Sequence, residues 1–203
     1  TWMQCAQGQV WDPVTNDCLG VARSYAYCSS QDNACNGGFP GGFLDGNGTS
    51  PAYQSCAELS YGGHDDWRVP NKEELKSLVG CGSDATSLVT WGASCAEDTG
   101  LATIEGELFP HTPTMRFWSA ESNLGYSSFA YEVDFQTGVG TYIAKNTEAY
   151  LRCVRGVDID ETAPPLEVSP APSLFTGAVD NANGTVTAST GLTWMKCSQG
   201  QGW

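Results

Sequence analysis

The sequence predicts an α+β domain: two helices and a small antiparallel sheet, joined by long irregular loops and stapled by disulfides. Three observations lead to it. Two stretches in the first half combine helix-start chemistry with an apolar stripe. Four stretches in the second half read as strands. The remainder is loop-like, in a chain with 24 glycines and nine cysteines among 203 residues and only 16% charged side chains. Helices followed by a run of strands is the order of an α+β domain.

The elements follow in chain order. Cys28 to Thr49 is rich in Gly, Asn and Ser and reads as loop. Ser50 to Leu59 reads as the first helix: Ser50 is a good N-cap, and Pro51 suits the first helical position, where an N–H would go unpaired anyway. Tyr53, Cys56, Ala57 and Leu59 supply its inner face. The second helix follows Trp67-Arg68-Val69-Pro70. Asn71, with Glu74 three residues on, forms a capping box; Leu75, Leu78 and Val79 give the apolar stripe, and Gly80 is its stop. Phe117-Trp118 opens a strand. Phe129 to Phe135 alternates in polarity and ends in a Gln136-Thr137-Gly138 turn. Gly140 to Ala144 returns, and Tyr150 to Val154 is the last strand, with Leu151 and Cys153 on one face.

Charge and cysteine spacing exclude several classes of function. Nine Lys and Arg face 23 Asp and Glu, a net charge of −14. A surface this acidic repels nucleic acid and anionic membranes, and no apolar run approaches the length that spans a bilayer. Cys-x-x-Cys is absent and the only histidines are His64 and His111, so the cysteines read as disulfides of an oxidising compartment rather than zinc ligands. Neither histidine sits in a catalytic pattern, and Gly-rich phosphate loops are missing. The chain is expected not to be an enzyme, with no catalytic residue and no cofactor other than calcium.

The organisation rests on an internal repeat. Residues 1–11 read TWMQCAQGQVW and residues 193–203 read TWMKCSQGQGW, with eight of eleven positions matching at an offset of 192. Residues 1–156 form the module. Residues 157–172 carry four acids, no base and four prolines, the composition of a stiff solvated linker. Residues 173–203 read as the opening of a following module, or as a segment docking on a neighbouring subunit. Thr185 to Ala188, after an Asn183-Gly184 turn, reads as its lead-in strand. By position Cys197 corresponds to Cys5, which accounts for the odd cysteine. No such lead-in precedes Thr1 in this chain; a neighbour's 175–192 can supply one by strand addition, while a covalent tandem array explains the same facts and is slightly favoured by the duplication of 1–11 in 193–203.

The motifs then point to a family. Trp67 to Leu75 (W-R-hydrophobic-P-x-x-x-E-L), Phe117-Trp118-Ser119, Val133-Asp134-Phe135, Arg152 to Gly156 and Gly191 to Met195 together resemble the Lcl C-terminal domain family, a bacterial surface and secreted module related to the C-type-lectin-like fold. The resemblance implies that fold, and with it a disulfide from the first helix to the last strand, the places held by Cys56 and Cys153. Cys5–Cys18, Cys28–Cys35 and Cys81–Cys95 then follow as local staples. Trp67, Trp118 and Phe135 are expected in the core, and Arg68 and Arg155 on internal carboxylates. The lectin calcium motifs Glu-Pro-Asn, Gln-Pro-Asp and Trp-Asn-Asp are absent, so that calcium site does not carry over.

Two functions are weighed. The first is a structural repeat of an extracellular, cell-surface array or filament, copies of the chain meeting head to tail through an assembly segment carrying Phe175, Val186, Leu192 and Trp194. The alternative is an adhesin-type module recognising glycan or a host polymer, with Phe39, Phe43, Tyr126 and Phe129 as stacking residues. Two Gly-bearing acidic turns are candidates for calcium, at Asp45 and Asn47 and at Asp180 and Asn183; Asx turns explain them equally without a metal.

Overall fold

Short strands, not helices, make up most of the regular structure. The computed structural model describes residues 1–81, 91–95 and 102–156, and the backbone of 179–180, 185–187 and 193–195. The helices are α1 (Pro51–Ala57) and α2 (Lys72–Lys76). The strands are β1 (Val10–Asp12), β2 (Asp17–Leu19), β3 (Ser24–Ala26), β4 (Arg116–Ser122), β5 (Phe129–Asp134), β6 (Gly140–Ala144), β7 (Glu148–Tyr150), β8 (Val179–Asp180), β9 (Thr185–Thr187) and β10 (Thr193–Met195). The expected α+β, C-type-lectin-like class is therefore corrected. The fold is mostly β, with a two-stranded hairpin, a five-stranded mixed sheet and helices of only seven and five residues.

The correction has local causes. Ser50 caps α1, its Oγ accepting the Tyr53 N–H at 2.9 Å, and Asn71 caps α2 with the full capping box. Both starts are where side-chain chemistry puts them. The ends are not. α2 stops at Lys76 rather than Gly80, because Val79 pairs with Ile104 and the Gly80 N–H goes to the Thr103 carbonyl at 3.0 Å. Leu75, Leu78 and Val79 are all buried, but one helical turn and the bend after it carry them inward. The last expected strand is also shorter: β7 ends at Tyr150, and Val154 makes single bridges to Trp2 and Arg68.

Three strands near the N-terminus are additions to the expected set. β1 and β2 form a hairpin whose turn is fixed by Asp12, which accepts from the Val14 N–H at 2.9 Å and the Thr15 hydroxyl at 2.7 Å. β3 joins the main sheet, ordered β3-β7-β4-β5-β6, in which β4 and β7 are parallel and the other pairs antiparallel.

Successive side chains on a strand face opposite sides, and β4 divides the core this way. Trp118 enters a cluster with Trp11, Tyr27, Trp67 and Leu151. Its neighbour Phe117 enters a second, with Leu75, Leu78, Phe109 and Phe135. Tyr27 meets Trp118 edge-on at 5.4 Å and Phe117 meets Phe135 edge-on at 5.1 Å, geometry that adds to the burial of each ring. The disulfides join Cys5 to Cys18, Cys28 to Cys35, Cys56 to Cys153 and Cys81 to Cys95.

Candidate functional site

The assembly segment contains a three-stranded antiparallel sheet ordered β10-β9-β8. Trp194 stands opposite Val186, Thr193 opposite Thr187 and Met195 opposite Thr185. Phe175 and Leu192 lie outside the described residues, as do the linker and Cys197. In the module the matching Thr1 to Met3 runs beside residues 153–155: Trp2 bridges Val154, the Met3 N–H donates to the Cys153 carbonyl at 3.0 Å and the Arg155 N–H to the Thr1 carbonyl at 2.7 Å.

At the first calcium candidate, the Asp45 carboxylate is occupied by its own turn. It accepts the Asn47 backbone N–H at 3.0 Å and the Asn47 side-chain amide at 2.6 Å, which holds its pKa below the usual range. At the second, Asp180 is in β8 and Asn183 lies outside the described residues. Among the described residues no three His, Cys, Asp or Glu gather as a metal-binding group.

The cations work inside the protein. The Arg152 guanidinium is fully buried between the Phe109 and Phe117 rings, at 4.8 and 5.9 Å, and donates to the Met3 and Gln4 carbonyls and the Thr112 hydroxyl. Burial lowers its pKa to about 9. Lys145 donates to the Asp32 carbonyl at 2.6 Å and the Asn36 side-chain oxygen at 2.7 Å, gathering the Cys28–Cys35 loop onto the end of β6. Lys76 donates to the Ala93 and Gly138 carbonyls. Arg68 is held by Glu74 and Arg155 by Asp66. These five cations are thus engaged by acceptors within the protein.

One surface has a different chemistry. On β5 and β6 the register places Tyr131 opposite Tyr142, Phe129 opposite Ala144 and Val133 opposite Gly140. These residues share the face opposite Ala130 and Glu132. Tyr126, from the β4–β5 loop, packs on Tyr142 and Phe129 at 6.0 Å each. Trp91 arrives at the other end, 5.4 Å from Tyr131. Gly140 makes room for it, since a Cβ there would sit 2.7 Å from the indole. Five rings, Trp91, Tyr131, Tyr142, Phe129 and Tyr126, form a continuous ridge, with Tyr126 58% and Tyr142 42% exposed.

Of the four aromatics expected to stack on ligand, the structure brings together Tyr126 and Phe129. Phe39 and Phe43 are 57% and 49% exposed but make no ring contact with the ridge among the described residues. Sequence reasoning missed Trp91, Tyr131 and Tyr142. Alternation from Phe129 identifies Tyr131, but Tyr142 and Trp91 join only through the register and the space above Gly140. His111 Nδ1 lies 2.8 Å from the Asp17 carboxylate on the surface, and His64 closes a turn with Tyr61.

The Lcl C-terminal domain family matches residues 1–155. No curated protein and no solved structure matches the chain.

Proposed function

Given that the chain belongs to the Lcl C-terminal domain family, we propose that it serves as a repeat unit of an extracellular bacterial surface array or filament, joined head to tail through its C-terminal segment. The observation that carries this reading is the second Thr-Trp-Met segment. Residues 193–195 form the edge strand of a sheet whose other strands come from the residues just before it, and they duplicate residues 1–3 of the module. A module followed by the opening of its own copy has the period of a tandem architecture, in which each unit contacts its neighbours.

Two further features support it. The linker at 157–172 has the proline content and single-sign charge of a spacer that holds units apart. Four disulfides in 156 residues suit an oxidising environment outside the cytoplasm. A head-to-tail contact joins two different patches, so copies add without closing and the assembly is open-ended.

Negative-stain electron microscopy of the intact chain, beside a chain cut after Pro172, tests the proposal. Fibres or strings from the intact chain that vanish on truncation support it. Dispersed particles from both, or fibres that survive the cut, overturn the role of the C-terminal segment.

A further inference from the structure

We propose that the aromatic ridge of Trp91, Tyr131, Tyr142, Phe129 and Tyr126 is a binding surface for a neutral polysaccharide. The inference is independent of the array, since it uses the face of β5 and β6 and no residue beyond 156. Its first support is shape. The rings follow one another over this face and cross from β5 to β6, with centroid steps of 5.4 Å from Trp91 to Tyr131, 6.4 Å to Tyr142 and 6.0 Å to Tyr126. An extended polymer with repeating apolar faces can rest on such a line. The two most exposed rings, Tyr126 and Tyr142, are tilted only 34° from each other and offer neighbouring stacking faces.

The second support is the polar chemistry of the same ridge. The hydroxyls of Tyr126, Tyr131 and Tyr142 make no hydrogen bond among the described residues. A purely apolar occupant would strand three phenolic groups away from water, at a cost for each. A polyol satisfies both needs, presenting C–H faces to the rings and hydroxyls to the phenols. Sugar rings have that alternation; a greasy protein patch or a lipid chain does not.

Charge selects among polysaccharides. Lys72 lies 5.7 Å from the centre of the Tyr131 ring and is engaged by Glu73 at 2.8 Å and Glu121 at 3.3 Å. That ammonium is already shared between two carboxylates, and the protein carries −14 overall. A sulfated or uronic polymer would be repelled, so the occupant is uncharged.

Affinity gel electrophoresis of the disulfide-bonded protein through soluble neutral polysaccharides (β-glucan, xylan and galactomannan) tests this, with heparin as the charged comparison. Trp fluorescence titration gives the affinity, because Trp91 ends the ridge. Retardation by at least one neutral polymer is expected. It should weaken at least tenfold in Tyr126→Ala with Tyr142→Ala and stay unchanged in Phe39→Ala, with melting temperatures showing that the variants fold. No retardation by any neutral polymer overturns the proposal, as does binding that survives the double variant or binding confined to heparin. Self-association abolished by the same double variant, seen in sedimentation velocity, also overturns it, because the ridge would then be a contact between copies.

Discussion

The Arg68 guanidinium meets the Glu74 carboxylate through two hydrogen bonds of 2.7 Å, and the same carboxylate accepts the Asn71 N–H at 2.9 Å to close the cap of α2. The signature Trp67-Arg68-Val69-Pro70 with Glu74-Leu75 is thereby a structural clamp. Arg68 exchanges backbone hydrogen bonds of 2.8 and 2.9 Å with Val154. Its side chain reaches forward to α2, while Trp67 and Leu75 enter the two core clusters. One short motif fastens the first half of the chain to its last segment.

Replacing Glu74 removes both functions of its carboxylate. Glu74→Ala is expected to destabilise the fold by about 2 kcal/mol or more, from hydrogen bonds to a charged group and one arm of the cap. Arg68→Lys should recover little of an Arg68→Ala loss, since an ammonium cannot make the two-pronged contact. Urea midpoints at constant slope check both.

Arg152 makes the stronger case. It sits in the core with three protein oxygens as acceptors and two rings against its guanidinium. Arg152→Leu fills the space but leaves the Met3 and Gln4 carbonyls and the Thr112 hydroxyl to find other partners. The expected loss is about 2–5 kcal/mol, since each buried neutral acceptor left without a donor costs about 1–3 kcal/mol. Arg152→Lys should fall between, and thermal unfolding orders the three proteins.

What could be read from the sequence was local. Ser50 and Asn71 mark helix starts because a cap is made by one side chain and the next three residues. Helix ends and strand lengths depend on distant partners: Val79 leaves α2 for Ile104, and Phe43 bridges Glu121 from inside a loop. β1, β2 and β3 have three residues each, too few to show a period, so a mostly β chain looked like α+β. The ridge divides the same way. Tyr126 and Phe129 stand near each other in sequence, whereas Tyr142 enters through strand register and Trp91 through a gap left by Gly140.

The disulfides should differ in value according to the loop each closes. Cys56 and Cys153 are 97 residues apart, Cys28 and Cys35 only seven. In the chain-entropy model the long loop is worth about 4–5 kcal/mol and the short one about 2–3. Cys56→Ala with Cys153→Ala should therefore lower the melting temperature more than Cys28→Ala with Cys35→Ala. Equal losses would mean that native packing around the short loop outweighs the entropy difference. The 2.6 Å hydrogen bond from Lys145 to the Asp32 carbonyl is the contact to examine in that event.

Glu132 gives the fold a pH dependence of definite sign. Its side chain is buried on β5, its carboxylate oxygens have no hydrogen-bond partner among the described residues, and Arg116 lies 3.9 Å away, half-exposed. Burial raises its pKa to about 8, Arg116 offsetting part of that and Asp134 adding to it. The folded protein thus holds this proton more tightly than the unfolded chain, where a glutamate titrates near 4.3. The contribution to stability is fully present below that lower value and is lost as pH rises through about 8, at up to about 1.4 kcal/mol per pH unit between them. Glu121, raised to about 7 by its own burial, acts in the same direction and will remain in any Glu132 variant. Glu132→Gln should therefore flatten the pH profile of stability without abolishing it. Relative to the parent protein, the variant should gain stability steadily from pH 5 to pH 8.5 in urea unfolding. A difference independent of pH would show that Glu132 is ionised in the folded protein throughout, with Arg116 or water satisfying its charge.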